Sequence, residues 1–199
     1  MVALSKTAGT VMELPKGISV CCLTGAVHVR VVGRGTFQNG QPLRRFALEM
    51  IEKGATECVV DLGPCDGMDS TFLGVLAGIG LRLNQNNGHD RMLVANVSNR
   101  NLELLQTLGL DRLFTIAPAG SSPAYECPDT AAFQRLPDSD ISQFNKPLNK
   151  NDTADLMLEA HDNLIQADTR NLAKFKDLTT FLRDRVEKRD PEPTSGKPS

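Results

Sequence analysis

The sequence predicts an α/β fold: a mixed, mostly parallel sheet of about five strands with helices packed on it, followed by a C-terminal helical extension. Three observations carry this. Apolar runs of strand length recur at Ile18 to Leu23, Val27 to Val32, Glu57 to Leu62, Asp90 to Asn96 and Leu113 to Ile116. From about residue 40 onward helical spacing fills the gaps between them, which implies right-handed strand–helix–strand units. After Ala117 the periodicity stops, and it returns only at Asp152.

The bulk numbers set limits. A chain of 199 residues holds one well-packed domain plus an extension. A net charge of −2 gives no electrostatic case for nucleic acid or an anionic membrane. No apolar run approaches the roughly 18 residues of a membrane span, and Met1 to Gly17 lacks the apolar core of a signal peptide. Five cysteines, none in a Cys-x-x-Cys pair, argue against zinc and redox motifs and for a reduced, cytoplasmic protein. With no tryptophan and only Tyr125 among tyrosines, a base-stacking surface is not expected.

In chain order, residues 1–16 read as a flexible lead-in. The first two strands flank Thr24-Gly25-Ala26 as a hairpin, with Val27, Val29 and Val31 on one face. Gly33-Arg34-Gly35 ends the second strand. Leu43, Phe46, Ala47, Met50 and Ile51 give an amphipathic helix over Gln41 to Lys53 that stops at Gly54. A buried strand over Glu57 to Leu62 breaks at Gly63-Pro64 and Gly67, and a second helix runs from Thr71 to about Gln85. Ser98 caps a third helix that ends at Gly109. These elements make one domain over 17–117. The Pro-rich stretch 118–150 reads as a linker. Residues 151–189 form a helix or broken helix with one apolar stripe, and 190–199 a disordered tail. That helical stripe either folds back on the open face of the sheet or pairs with another copy.

Catalytic signals are sparse. Gly33 to Gln38 is half of a dinucleotide fingerprint without its third glycine, and no Walker A motif is present. The turn Asp69-Ser70-Thr71 is not the Gly-x-Ser-x-Gly of a nucleophile elbow. His28, His89 and His161 share no ligand spacing and read as structural or solvent-facing. Asp61, Asp66 and Asp69 could ring a magnesium ion, but turn and cap formation suits Asp66 and Asp69 better. No metal or cofactor is therefore expected. Interior glycine is unfavourable in a helix by about 0.8–1 kcal/mol, so Gly74, Gly78 and Gly80 imply close approach by something. The approaching group is either the domain's own sheet or a partner seated on Gly74 and Gly78.

Ser70 stands at a strand–turn–helix junction, beside the positive end of a helix dipole, a setting that tolerates a phosphate. The surrounding block Val59-Val60-Asp61-Leu62, Met68-Asp69-Ser70-Thr71-Phe72-Leu73-Gly74-Val75-Leu76, Val94 to Ser98 and Leu104 to Phe114 resembles the anti-sigma factor antagonist family, whose module is the STAS domain. The Asp-Ser helix start combined with the Leu108-Gly109-Leu110-Asp111 ending is the specific part. Thr71 and Phe72 stand where the family often has Ser and Gly, and the extension is longer than the minimal domain.

The resemblance implies a non-enzymatic anti-sigma factor antagonist regulating transcription by partner switching. Ser70, with Thr71 as alternative, would be the phosphoacceptor of an anti-sigma factor serine kinase, and a serine phosphatase would reverse it. Asp69, Thr71, Phe72, Gly74 and Val75 would shape the partner-binding surface. Neither nucleic acid nor direct membrane insertion is expected; a homodimer through the C-terminal helix is the alternative to its folding back. The alternatives are a constitutive scaffold or accessory subunit of a transport or signalling complex, and a small-molecule or nucleotide sensor.

Overall fold

In the computed structural model, residues 15–23, 25–85, 91–121, 128–136 and 149–188 are described. Most of the expected lead-in, parts of the expected linker, His89 and the expected tail lie outside the described residues. Seven strands form the sheet rather than about five: β1 (Gly17–Leu23), β2 (Ala26–Gly35), β3 (Glu57–Asp61), β4 (Cys65–Met68), β5 (Arg91–Val97), β6 (Thr115–Pro118) and β7 (Gln134–Arg135). Their spatial order is β6-β5-β3-β2-β1-β7, with β4 beside the end of β2. β1 and β2 are an antiparallel hairpin, whereas β2, β3, β5 and β6 run parallel. The sheet is mixed and mostly parallel, as the alternation predicts.

Because β2, β3, β5 and β6 add in one direction, right-handed crossovers put their connecting helices on one face. These are α1 (Phe37–Glu52), α2 (Ser70–Asn84) and α3 (Asn99–Thr107). Val29, Val60 and Val94 sit in register across three strands and are at most 1% exposed. Phe46, Phe72, Leu76, Ile79 and Leu105 close over them. The other face carries the buried pair Arg30–Asp61. Arg30 Nε donates to Asp61 Oδ2 at 3.1 Å, and its guanidinium lies 4.2 Å over the Phe133 ring. Phe133 belongs to the expected linker, part of which is therefore ordered; β7 pairs with β1, and Leu136 N donates to Ile18 O at 2.9 Å.

Two local readings need correction. α1 starts at Phe37, four residues before Gln41, because Thr36 N donates to Asn39 Oδ1 at 2.8 Å and Phe37 N to Asp69. Pro42 then falls in the second turn, where it removes only the bond to the Gln38 carbonyl. β2 continues to Gly35 and so creates β4, which pairs with it at Gly33, Arg34 and Gly35. Cys21, Cys58 and Cys65 are buried while Cys22 is exposed, and burial pushes the Cys58 thiol up to about 12.

The extension is two helices, α4 (Lys150–Ala167) and α5 (Asn171–Glu187). It does not lie on the open face of the sheet. α4 packs on the helical layer, chiefly along α2 and at α1, and α5 packs along α4. The break between them is fastened to the corner after α3. Asn171 Nδ2 donates to Leu108 O at 2.9 Å and to Leu164 O at 2.8 Å, and Lys174 Nζ donates to Thr107 O at 2.6 Å. The Asp168 carboxylate accepts from Arg170 N and Nε, each at 3.0 Å, with Arg112 Nη1 at 3.6 Å. Gly109 takes φ +70°, and a Cβ there would come within 2.8 Å of the Asp168 side chain. Only glycine gives both that backbone and that space.

Hydrogen bonds from Arg170, with the nearby Arg170 and Arg112 charges, hold the Asp168 carboxyl well below the usual carboxylate range. A depressed carboxylate stabilises the fold above its unfolded value of about 3.9 and loses that contribution as pH falls toward the folded value. Asp168→Asn is therefore expected to lower the melting temperature at pH 7, with the gap to wild type constant above about pH 5 and narrowing below about pH 4. Thermal melts of both proteins across pH 2–7 read this directly; a gap independent of pH would mean that the Asp168 charge is not what fastens the hairpin.

Candidate functional site

The site is built where β3, β4 and two helix starts meet. Asp61, at the end of β3, accepts from Gly63 N at 3.0 Å and from Asn96 Nδ2 at 2.9 Å in addition to Arg30. This ties the strand ends together below the junction. Asp69 follows β4, and its own N–H donates to Gly35 O at 3.0 Å. Its side chain caps two helices at once: Oδ1 accepts from Phe72 N at 2.8 Å and Oδ2 from Phe37 N at 3.0 Å. One carboxylate thus satisfies orphan amides of α1 and α2 and sits at the positive end of both dipoles.

Ser70 is the first residue of α2 and is partly exposed. Its Oγ lies 3.0 Å from His161 Nε2, on α4. His161 Nδ1 lies 2.7 Å from the Met157 carbonyl, which can only accept, so the proton sits on Nδ1. In the neutral ring Nε2 is then an acceptor, and the Ser70 hydroxyl donates to it. The ring is 2% exposed and meets Phe175 edge-on at 4.8 Å between centroids.

The other residues singled out from the sequence face inward. Thr71 is 4% exposed, Phe72 is fully buried, and Val75 is in the core. The Phe72 ring fills the space above Gly35, where a Cβ would come within 2.7 Å of Cε1. Gly74 and Gly78 do meet a close neighbour, and it is α4. A Cβ on Gly74 would lie 2.5 Å from the Ala160 carbonyl carbon and 2.7 Å from its Cα. At Gly78 it would lie 3.2 Å from Asn163 Cγ, and Asn163 Nδ2 donates to Gly74 O at 3.3 Å. Gly80 has a different neighbour, the Phe114 ring of the domain itself.

The serine–imidazole–carbonyl chain has the hydrogen-bond order of a nucleophile and its base. It lacks what acyl transfer also needs. The Phe72 amide is already engaged by Asp69, and the hydroxyl is held by His161 of α4. Asp61, Asp66 and Asp69 do not converge either: Asp61 is paired with Arg30, Asp69 is the double cap, and Asp66 is exposed. Among the described residues no cluster of potential metal ligands is present, and no helix is long and apolar enough to cross a membrane.

Comparison with known proteins gives the family. The STAS domain model matches residues 18–121, just over half of the sequence, a range that takes in β1 to β6 and the helices α1 to α3 but not β7. The chain belongs to the STAS domain family. Among solved structures it is similar to a protein from Thermotoga maritima described as a candidate anti-sigma factor antagonist. Identity to that protein is 17% with a TM-score of 0.46, over 50% of this chain and 85% of that one. It is also similar to the anti-sigma factor antagonist SpoIIAA in its unphosphorylated form, at 15% identity and a TM-score of 0.44, over 53% of this chain and 90% of that one. Among curated protein sequences none matches it.

His161 is the site residue that sequence reasoning missed. It is 91 positions from Ser70, and it sits within the apolar stripe of α4 where a histidine reads as a structural residue. The buried positions are Ala154, Leu156, Ala160, His161 and Leu164. The small Ala160 beside a histidine was the available signal.

The double cap by Asp69 makes a quantitative expectation. Asp69→Ala should destabilise the STAS domain by about 2 kcal/mol, against about 1 kcal/mol for Ser98→Ala, where one cap bond to Asn101 N is lost. Urea denaturation of both variants measures this; equal losses would show that the bond to Phe37 N contributes nothing.

Proposed function

We propose that this STAS protein is a phosphorylation-switched binding protein of the anti-sigma factor antagonist type. Unphosphorylated, it binds an anti-sigma factor kinase and so frees a sigma factor; phosphorylated on Ser70, it releases the kinase until a serine phosphatase restores it. The observation that carries the reading is the placement of Ser70. It is a partly exposed hydroxyl at the first position of a capped helix, in a domain of this family. Thr71 is the poorer acceptor because its side chain is buried. Asp69 holds the helix start in shape, Phe72 and Val75 support it from beneath, and Gly74 belongs to the contact stripe. A phosphate there adds about −1.5 to −2 charges at a packed surface next to the Asp69 carboxylate, which repels a docked partner. The protein acts by binding and not as an enzyme, in the cytoplasm where such partners reside.

A second reading, a constitutive scaffold, draws on α5. Leu178 and Phe181 are 40% and 60% exposed one turn apart. A homodimer through the C-terminal helices would form on these residues, since the buried face of α4 is taken.

Affinity capture from lysate of the source cells with wild-type and Ser70→Asp baits decides between them. The switch predicts a serine-kinase-type partner held by wild type and weakened about tenfold or more by Ser70→Asp. The same partners at the same strength from both baits would favour the scaffold, and a Phe181→Glu bait that lost them would place their contact on α5.

A further inference from the structure

The face of α2 on which a partner would act at Ser70 is occupied by the chain itself. Ala160 brings the α4 backbone against Gly74, where no side chain fits between the two helices. One turn along, Asn163 lies on Gly78 and donates to the Gly74 carbonyl, and His161 takes the Ser70 hydroxyl. Arg44 of α1 grips Glu159 through Nε at 2.8 Å and Nη2 at 2.6 Å on the exposed rim. A cleft of about 220 Å³ opens beside this contact, lined in part by Arg44, Val75, Gly78, Glu159 and Asn163. The seat is therefore a glycine stripe with a polar, open edge.

We propose that the Ser70–Gly74–Gly78 stripe of α2 is a helix-docking surface for which α4 and a protein partner compete. α4 is then a displaceable cover of Ser70. The partner that fits presents a helix with a small residue where Ala160 sits and a side-chain amide three residues further on, as Asn163 is. This deepens the proposed switch and rests on it only for the identity of the partner.

Two arguments carry the competition. Ser70 Oγ and His161 Nε2 are in hydrogen-bond contact, so a phosphoryl group on that oxygen must break the bond and claims space that the imidazole of α4 now occupies. The kinase that adds it meets the same obstacle. The cover is also separable from its foot. Asp168, Asn171 and Lys174 fasten the hairpin to Thr107, Leu108 and Arg112, and none of these touches the Ser70 end. α4 still carries the buried Leu156 and Leu164, so lifting it is unfavourable by itself and needs the phosphate or the partner to drive it. By linkage, whatever loosens α4 exposes Ser70, and whatever engages Ser70 loosens α4.

Hydrogen exchange on the full chain tests this without a known partner. With phosphoserine installed at position 70, amides of α4 between 154 and 164 should exchange about tenfold faster or more than in the unmodified protein, while those of β3 and β5 keep their protection. Unchanged protection of α4 overturns the proposal. Loss of protection in β3 and β5 as well overturns it too, because the cover would not be a separable unit. Two variants test the shared surface in the capture experiment. Ala160→Leu bars α4 from the stripe and should raise binding of a Ser70-dependent partner about fivefold, whereas Gly74→Leu blocks the stripe itself and should abolish it. Equal effects of the two variants overturn the shared surface. A partner lost on Ser70→Asp while phosphoserine leaves α4 protected would keep the switch and remove the cover; an α4 released by phosphoserine with no such partner would do the reverse.

Discussion

The approach of the Ala160 backbone to Gly74 is the constraint on which the extension depends. Two helices meet this closely only where one carries no side chain, and any larger residue at position 74 would collide with main chain, which cannot rotate away. That approach brings His161 into reach of Ser70 and Asn163 into reach of the Gly74 carbonyl. It also lets Leu156 and Leu164 join the core of the domain. Burying a leucine fully stabilises by about 1.5–3 kcal/mol, which offsets the unfavourable interior glycines of α2. Without the glycine stripe α4 would stand further off, and both the apolar and the polar contacts would open together.

The Asp69 carboxylate is the second fixed point. By accepting from Phe72 N and Phe37 N it joins the starts of α2 and α1, while its own amide binds the end of β2 through Gly35. The Phe72 ring stacked over Gly35 locks the same corner from inside. Ser70 is therefore displayed by a rigid corner and covered by a separate element. A charge added at Ser70 would meet α4 first, because the corner below is held by hydrogen bonds to the Asp69 carboxylate and amide.

Much of this was legible in the sequence where local pattern decides structure. The β1–β2 hairpin, the buried β3, the helix after Ser70 and the Ser98 cap all follow from residues close together in the chain. The junction at Asp69-Ser70 and the need for a close neighbour at Gly74 and Gly78 were legible for the same reason. What was hidden depends on contacts between distant segments. β4, with Asp66 and Gly67 inside it, has no strand pattern of its own and exists because β2 runs on to Gly35 and offers an edge. The start of α1 was obscured by Pro42, and one of the bonds that fix it comes from Asp69, 32 residues away. The glycine stripe announced that something approaches, but not that the approaching group is Ala160.

Besides its contact with α1, the extension touches the domain at the two places that carry the family resemblance. One is the Asp-Ser helix start; the other is the Leu108-Gly109-Leu110-Asp111 corner, where Gly109 in its left-handed conformation makes room for Asp168. A corner that merely ended the domain would need the glycine for its backbone alone; here the missing side chain is also the socket of the hairpin. The two contacts differ in kind. At the corner, a carboxylate flanked by two arginines and an asparagine bonded to two carbonyls form a dense polar lock. At Ser70 the contact is one hydroxyl on one imidazole beside a glycine face. Adding charge to Ser70 attacks the thinner of the two, and the lock at the other end sets the pivot about which α4 would turn.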